Sequence, residues 1–493
     1  MGSEMCIRDR TKLGHMVGAD FSFKIYQNAL RQPYVVHASR NSSEVIAGIT
    51  EKSNLAVNQV VLPALALVSS SLLAMSIVVT LVAIEPFVAL SAFACFGCSY
   101  TIIIIVTKNR LAANGQQIND LTTQRIKILQ EGLGGIRDVI LAGVQGVYLR
   151  VYRKTDLPLR HALATTSIIS AAPRFAIESF GMVLIAVIAY FMVSYQGAIT
   201  NTLPTLGALA LGAQRMLPLL QLLYSSWSRL KAAEATLEDL LRLLEQPVDA
   251  YSASEDETSL PVENVISLSN VKFRYSEHSS WVVNNLTLDI VAGNSVGLIG
   301  RTGSGKSTLL DIMMGLLNPV EGALMVDGQP INDENRRRWQ KNISHVPQVI
   351  FLADATVAEN IAFGVPLEEI DYDRVQESAR MAQIDDIIES WPKQYDEMVG
   401  ERGIRLSGGQ RQRIGIARAF YNGGNVVVFD EATSALDPQT EAAVMAAMSN
   451  YGRDLTIVMV AHRLSTLRNC DYIIELDKGT VTRSGTYDDI IGI

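Results

Sequence analysis

The sequence predicts a helical membrane domain followed by an α/β domain. Three observations support this fold class. Of the 493 residues, 48% are hydrophobic and only 19% are charged, which is too apolar for an ordinary soluble protein. The apolar excess lies in the first half of the chain. The second half holds a glycine-rich loop and, further on, an apolar strand that ends in two carboxylates.

Charge and cysteine content exclude some other classes. The net charge of −8 gives no support for nucleic-acid binding. The four cysteines form no recognisable disulfide framework. Cys95 and Cys98 lie inside an apolar run without partners for a metal or redox site, so we predict that they pack within a membrane helix.

The predicted domains follow shifts in composition. The first residues hold no continuous apolar region, so they are not a signal peptide. A charged amphipathic helix and then a segment rich in proline, serine and acidic residues separate the two halves. We expect a non-native or disordered leader over 1–17, a transmembrane domain over 18–228, a linker over 229–264 and the α/β domain over 265–493.

Four membrane spans are predicted from stretches without charge. Ser53–Ile84 and Pro86–Thr107 contain no charged residue, and each reaches the roughly 20 residues that a spanning helix needs. A third such stretch, Ser179–Gln214, is interrupted by polar residues, so we predict spans at about 174–195 and 203–225.

The segment between the second and third spans is predicted to be cytoplasmic, because it is rich in Lys and Arg whereas the short outer turns have none. We expect two long helices that extend the membrane helices, with a turn near Tyr152–Asp156. A cytoplasmic loop of no special role is the alternative.

A phosphate-binding loop is predicted at Gly300–Ser307, which fits G-x-x-x-x-G-K-[ST] between the apolar run Val296–Ile299 and a helix. Its glycines let the backbone approach phosphate oxygens, and its N–H groups face an anion together with the helix N-terminus. Lys306 is expected to reach the β- and γ-phosphates, and the Ser307 hydroxyl to hold Mg²⁺. A glycine turn with a chance lysine is the alternative. The candidate binding residues are Gly300, Arg301, Thr302, Gly303, Ser304, Gly305, Lys306, Ser307 and Thr308.

The apolar run Val426–Phe429 predicts a buried strand that delivers two carboxylates to the ligand-binding edge of an α/β sheet. Asp430 is a candidate Mg²⁺ ligand, and Glu431 is a candidate general base for an attacking water. An ordinary strand end is the alternative, and the upstream phosphate loop favours the catalytic interpretation.

A second glycine-rich turn, Leu406–Gln410, opens a predicted helix. It can present backbone donors and the Ser407 hydroxyl to phosphate, although a plain helix N-cap has the same pattern. The order of phosphate loop, LSGGQ and VVVFDE closely resembles the ABC transporter ATPases, over about 265–493. The predicted second domain is therefore an α/β P-loop NTPase domain of ABC type.

The resemblance implies roles for further residues. Tyr275 matches the aromatic that stacks on adenine, and Gln348 matches the glutamine that contacts Mg²⁺ and the γ-phosphate and links to the membrane domain. Asp437 matches the loop that communicates across a dimer, and His462 matches the histidine that contacts the γ-phosphate. The implied catalytic residues are Glu431, His462 and Gln348, the metal ligands are Ser307, Gln348 and Asp430, and ATP binding also involves Ser407, Gly408, Gly409, Gln410 and Asp437.

The resemblance also implies a dimer, because in that family the phosphate loop of one ATPase domain faces the LSGGQ of another. A homodimer with two composite sites for ATP and Mg²⁺ is the simplest case. The short element Gly400–Gly403 and the membrane half resemble the exporter-type ABC fold, which has six spans per subunit. Four are found here, so we expect the first two to be absent from this sequence.

Three segments, Tyr34–Glu44, Pro173–Phe175 and Ala213–Pro218, are similar to the lipid-linked oligosaccharide flippase branch. Independently, Arg215 lies in an apolar span, where a cation costs about 3 kcal/mol and faces a cavity or a partner. Our hypothesis is that Arg174 and Arg215 bind an anionic headgroup such as a pyrophosphate. An ion pair between Arg174 and Glu178, or displacement of Arg215 toward the cytoplasm, is the alternative.

The expected function is an ATP-driven exporter or flippase of the bacterial inner membrane, with its ATPase domain in the cytoplasm. The expected substrate is a lipid-linked oligosaccharide or a similar polyprenyl-pyrophosphate lipid. A multidrug, lipid or peptide exporter is one alternative. A truncated chain with ATPase activity but no transport is another. The predicted spans argue against a soluble ABC ATPase of translation or DNA repair.

Overall fold

The computed structural model describes residues 2–84, 86–196, 199–246, 258–432, 436–451, 455–460 and 464–491. They form two compact units. The first comprises Met1–Gln32 and Ser39–Val248, and the second comprises Pro33–Ala38 and Asp249–Ile493.

The N-terminal half of the chain is helical over its described residues. Two π-helical turns, Gly48–Lys52 and Val57–Val61, join α3, α4 and α5 into one continuous helix. The helices are α1 (Gly2–Leu30), α2 (Tyr34–Ser39), α3 (Ser42–Ala47), α4 (Ser53–Ala56), α5 (Leu62–Ile84), α6 (Pro86–Gly134), α7 (Ile136–Leu141), α8 (Gln145–Ala171), α9 (Pro173–Gln196) and α10 (Ile199–Leu244).

Two helical stretches, Ser42–Ala83 and Ala89–Gly134, are long and apolar enough to cross a membrane, and they cover most of the first two predicted spans. Large apolar side chains on these helices, such as Leu72, Met75 and Ile102, are exposed, as expected for a surface that faces lipid. The third and fourth predicted spans fall on α9 and α10. Many of their side chains between 191 and 210 lie outside the described residues, so the total of four spans stays a prediction.

The predicted position of the cytoplasmic turn is wrong. Residues Tyr152–Asp156 lie inside α8, and the chain turns instead at Ala142–Val144. Gly143 adopts φ +64° there, in the left-handed region that glycine enters without a steric penalty. The segment 153–156 therefore continues α8, with Arg153 and Lys154 exposed and Thr155 buried.

Several predicted boundaries fall inside helices. Most of the expected leader, 2–17, is part of α1, and α10 continues from the membrane side past residue 229 to Leu244. The described part of the proline- and serine-rich segment begins at Thr258. There the amide of Leu260 donates to the carbonyl of Arg338 at 3.0 Å, within the second unit.

The second unit contains two sheets. A four-stranded antiparallel sheet has the order β2-β1-β4-β5, and a six-stranded sheet has the order β10-β9-β3-β8-β7-β6. The strands are β1 (Val265–Phe273), β2 (Val283–Val291), β3 (Ser295–Ile299), β4 (Glu321–Val326), β5 (Gln329–Pro330), β6 (Ile343–Val346), β7 (Val426–Asp430), β8 (Thr456–Val460), β9 (Tyr472–Asp477) and β10 (Thr480–Gly485). The helices are α11 (Lys306–Met313), α12 (Arg336–Gln340), α13 (Val357–Ile361), α14 (Tyr372–Met381), α15 (Asp385–Glu389), α16 (Gly408–Asn422), α17 (Pro438–Tyr451), α18 (Leu464–Leu467) and α19 (Tyr487–Ile491).

The middle of the six-stranded sheet is parallel: β3 pairs with β8 and β9, and β7 pairs with β8 and β6. All five residues of β8 are buried, as are the first four of β7. Strands covered on both faces read as continuous apolar runs, which is why VVVF was recognisable in the sequence. This sheet confirms the predicted α/β class of the second half.

A buried charge pair links helices of the first unit. Lys52, at the end of the first π-helical turn, is only 2% exposed, and its Nζ lies 2.7 Å from Oδ2 of Asp239 on α10. The Asn119 amide on α6 donates to the same oxygen at 2.7 Å. A buried ammonium group without its counter-charge is costly, so this cluster fixes how the three helices meet.

We expect Asp239→Asn to lower the apparent free energy of unfolding by about 3 kcal/mol, because it leaves the Lys52 ammonium buried without a negative partner. The neighbouring Glu238→Gln is the matched control, since Glu238 forms an exposed pair with Arg242 and should matter by less than about 1 kcal/mol. Thermal unfolding of both variants in detergent is the measurement. Equal shifts in the two variants would contradict the role of the cluster.

Candidate functional site

The phosphate loop connects β3 to α11, and two of its glycines are required by close packing. A Cβ on Gly300 would lie 2.3 Å from the carbonyl oxygen of Leu476, and one on Gly305 would lie 2.8 Å from that of Val282. Both glycines also have positive φ, at +148° and +100°. The loop is therefore held as a tight turn whose N–H groups precede the N-terminus of α11, an arrangement suited to an anion.

The Lys306 side chain folds back on the loop. Its Nζ donates to the carbonyls of Gly300 and Arg301 at 2.8 and 3.2 Å, and the residue is buried. These two bonds keep a positive charge on the loop beside the candidate phosphate position. The Ser304 hydroxyl is also buried there, with no hydrogen-bond partner among the described residues.

The aromatic ring expected to face adenine lies next to this loop. The Tyr275 hydroxyl is 3.1 Å from Oγ1 of Thr308 in the first turn of α11, and its ring contacts Phe273 edge-on, with centroids 5.1 Å apart. About half of the Tyr275 side chain stays exposed, which leaves a face on which a planar group can stack.

The two predicted carboxylates follow β7 as expected. Asp430 is the last residue of the strand, and Glu431 adopts φ +51°, an uncommon conformation for a residue with a side chain. The Gln348 amide donates to Oε2 of Glu431 at 2.7 Å. Two residues that are 83 positions apart in the chain, and were assigned to one site from motifs alone, are thus in direct contact.

A third carboxyl group near the loop was missed by the sequence analysis. Burial and, after it, the negative charge of Asp430 raise the pKa of the Asp311 carboxyl group to about 6. Asp311 lies on α11, so this helix and the end of β7 bring two acids close enough to interact. Asp311 lies five residues after Lys306, outside the phosphate-loop motif, so the motif gives no reason to assign it to the site.

The LSGGQ turn forms a capping box. The Ser407 hydroxyl accepts a bond from the Gln410 amide at 3.2 Å, and the Gln410 side chain accepts one from the Ser407 amide at 2.8 Å. Gly408 and Gly409 begin the 15-residue helix α16. The N-cap alternative therefore describes the local geometry, and the exposed helix N-terminus remains suited to an anion.

The remaining predicted site residues are Asp437, His462, Arg174 and Arg215. Asp437 is exposed and caps α17, and hydrogen bonds from the Thr440 side chain and backbone lower the pKa of its carboxyl group. His462 lies outside the described residues. In the first unit, Arg174 Nε lies 2.8 Å from Oε1 of Glu178, which is the ion-pair alternative, and the Arg215 side chain is exposed on α10.

A groove of about 610 Å³ lies beside Gln348. It runs between the segment that follows β6 and the start of α16, and Val349 and Phe351 on its wall are exposed. Its lining residues are Gln348, Val349, Ile350, Phe351, Arg402, Gly408, Arg411 and Gln412.

Residues 283–434 match a family model described as ABC transporter. Two curated relatives are each described as an ATP-dependent lipid A-core flippase. That of Alkalilimnicola ehrlichii is 30% identical over 403 residues, which cover 80% of this chain and 67% of the relative. That of Cupriavidus metallidurans is 31% identical over 393 residues, which cover 78% of this chain and 64% of the relative.

The alpha-hemolysin translocation ATP-binding protein HlyB of Escherichia coli O157:H7 is 35% identical over 282 residues, 57% of this chain and 39% of that protein. The chain thus spans about two thirds or less of the length of the curated relatives it matches. A solved bacterial Atm1-family ABC exporter with ATP bound has the same fold. Its TM-score is 0.86 at 22% identity, over 98% of this chain and 84% of that one.

His345, a half-buried residue of β6, lies three residues before Gln348. Burial lowers the pKa of His345 from its ordinary value of 6.5 to about 4, and its Nε2 has no hydrogen-bond partner among the described residues. The folded chain therefore keeps this imidazole neutral at pH values where an unfolded chain would protonate it.

We expect stability to fall as the pH drops from about 6.5 to about 4, because in this range only the unfolded state takes up the His345 proton. Above pH 6.5 the free energy of unfolding is larger than below pH 4 by a His345 contribution on the order of 3 kcal/mol. Unfolding measured between pH 7 and 4.5 tests this. His345→Gln should flatten the slope, whereas His278→Gln, at an exposed histidine, should not. An unchanged slope in His345→Gln would exclude the explanation.

Proposed function

Because the chain belongs to the exporter-type ABC transporters, we propose that it works as a homodimeric flippase for an amphipathic lipid with an anionic headgroup. As a member of this family it is a membrane-integral, ATP-hydrolysing transporter. The observation that carries the proposed hydrolytic mechanism is the 2.7 Å bond between Gln348 and Glu431 at the strand end beside the phosphate loop. We further propose the bacterial inner membrane as its location, with the ATPase domain in the cytoplasm.

In the proposed ATP site, the loop from Gly300 to Thr308 binds the phosphates and Tyr275 stacks on the base. Ser307, Gln348 and Asp430 would hold Mg²⁺, and their hydroxyl, amide and carboxylate oxygens are the hard ligands that this ion prefers. The Gln348 amide nitrogen is engaged with Glu431, which leaves its oxygen for the metal. The ion would supply positive charge to the β- and γ-phosphates.

Glu431 is the proposed general base. Gln348 holds one oxygen of its carboxylate, so the group that takes a proton from the attacking water is oriented before ATP binds. The positive φ of Glu431 directs this side chain out of the β7 strand direction, and such strain is tolerated where function requires it. His462 is the proposed contact to the γ-phosphate.

The second half of each site would come from a second copy of the chain. The Ser407 and Gln410 side chains bond to each other's backbone amides, which leaves the amides of Gly408 and Gly409 at the N-terminus of α16 for a separate ATP molecule. Asp437 would contact the same interface. The groove beside Gln348, with exposed Val349 and Phe351, suits an apolar segment of the second subunit.

The proposed substrate is a lipid-linked oligosaccharide or a similar polyprenyl-pyrophosphate lipid. Two relatives are named for flipping lipid A-core, which supports an amphipathic lipid as the substrate class. Arg215 is an exposed cation on α10 within a predicted span, and an anionic headgroup is a suitable partner for it. The Arg174 charge is balanced by Glu178, so we propose that Arg174 contributes less than Arg215 to binding the headgroup.

A peptide or toxin exporter is the second candidate. Its support is the similarity to HlyB, which is named for the translocation of alpha-hemolysin. A multidrug exporter, and a chain that hydrolyses ATP without transport, remain possible outcomes of the experiments below.

We expect Glu431→Gln to reduce ATP hydrolysis at least about 100-fold with ATP affinity retained, because the amide keeps the shape but cannot accept the proton. Hydrolysis by the chain in lipid nanodiscs is the measurement. Glu321→Gln makes the same chemical change at an exposed ion pair on β4 and should leave the rate unchanged. Full activity of Glu431→Gln would remove it from the role of base.

Addition of lipid-linked oligosaccharide should raise hydrolysis by the unaltered chain, and Arg215→Ala should weaken this stimulation roughly tenfold through loss of a charged contact. Arg229→Ala, on the same helix beyond the predicted span, is the control. Stimulation by lipid A-core alone, or by a peptide alone, would replace the proposed substrate. Hydrolysis that responds to none of the three would favour a multidrug exporter or a chain without transport activity.

A further inference from the structure

The turn that joins the last two strands of the six-stranded sheet packs on the phosphate loop. This turn, Asp477–Thr480, connects β9 to β10. The Gly479 amide donates to the carbonyl of Ser304 at 3.0 Å, and the Gly479 carbonyl accepts from the Asn284 amide at 2.9 Å. One residue therefore connects the phosphate loop with β2 through its two peptide groups.

Sheet register explains why the turn reaches the loop. Strand β9 pairs in parallel with β3, with Ile299 opposite Glu475. The next residue of β3's chain is Gly300, and the next residue of β9 is Leu476. The two strands therefore leave the sheet side by side: β3 continues into the phosphate loop, and β9 continues into the turn.

The contact is too tight for any added side-chain carbon. A Cβ on Gly479 would lie 2.3 Å from the carbonyl oxygen of Val282, and the same oxygen would lie 2.8 Å from a Cβ on Gly305. On the other side, a Cβ on Gly300 would lie 2.3 Å from the Leu476 oxygen. The turn, β2 and the loop thus meet backbone to backbone.

We propose that Asp477–Thr480 is a positioning element for the phosphate loop and that Gly479 is its positioning residue. The turn acts through the loop and does not itself contact the nucleotide. A loop with several positive-φ residues has many conformations when unsupported. The conformational entropy lost on ordering such a loop would weaken ATP binding. The turn holds the loop in its binding conformation beforehand. This inference rests on the proposed role of the loop as the phosphate-binding element.

The test is Gly479→Ala in the full chain, with ATP affinity and ATPase kinetics as readouts. The added Cβ displaces the turn, so KM for ATP should rise about tenfold or more while kcat at saturating ATP changes less than about threefold. Gly328→Ala is the matched control. Gly328 has φ +79° beside +80° at Gly479, also in a hairpin turn, but an added Cβ meets nothing within 4 Å. It should leave KM unchanged.

A milder variant keeps the test decisive if Gly479→Ala fails to fold. The Thr480 hydroxyl closes the turn by donating to the Asp477 carbonyl at 2.9 Å. Thr480→Val removes this bond and should raise KM about two- to threefold, with faster hydrogen exchange of the amides at 300–305. A purely structural role would lower kcat and thermal stability while leaving KM and this exchange unchanged, and would overturn the proposal.

The Lys306→Ala variant distinguishes the phosphate-binding role of the loop from the positioning role of the turn. Loss of ATP binding in Lys306→Ala with unaltered KM in Gly479→Ala and Thr480→Val would reject the positioning role alone. Normal ATP binding in Lys306→Ala would reject the proposed phosphate loop, and the role of the turn with it.

Discussion

Strand β3 pairs in parallel with β8 on one side and with β9 on the other, and this pairing decides where the chemistry of the second unit can lie. Parallel strands end at a common edge, so the loop after β3 and the acids after β7 emerge together. The pairing also brings the last hairpin against the phosphate loop. If β3 slipped by one residue, its buried side chains would change faces and Gly300 would lose its place beside Leu476.

Backbone contacts, more than side-chain contacts, give the phosphate loop its shape. The loop is surrounded by carbonyl oxygens of Val282 and Leu476 and by the amide of Gly479, which come from two parts of the chain, the start of β2 and the β9–β10 hairpin. An anion site built from N–H groups depends on their direction, and neighbouring main chain fixes that direction without side chains that could rearrange. Lys306 then adds charge to a site whose geometry is already set.

Much of the second unit could be predicted because its signals are local. The phosphate loop, the β7 strand and the LSGGQ turn are continuous motifs, and the pairing of Gln348 with Glu431 agrees with the roles that the motifs imply. Asp311, His345 and Gly479 could not be identified, because their properties arise from burial and from contacts across the fold. The predicted turn at Tyr152–Asp156 is wrong because those residues continue α8, and the chain turns at Gly143, which adopts a positive φ.

The π-helical turn Gly48–Lys52 has a consequence for how this helix tolerates insertions and deletions. A π turn carries one residue more than an α-helical turn, and one residue corresponds to a rotation of about 100° around the helix axis. Lys52 reaches Asp239 with this extra residue in place. Loss of a single residue within the turn would convert it to regular helix and leave the residues on either side, Lys52 included, on their present faces. In an alignment, a one-residue gap at this point is therefore compatible with the same polar contact in a relative.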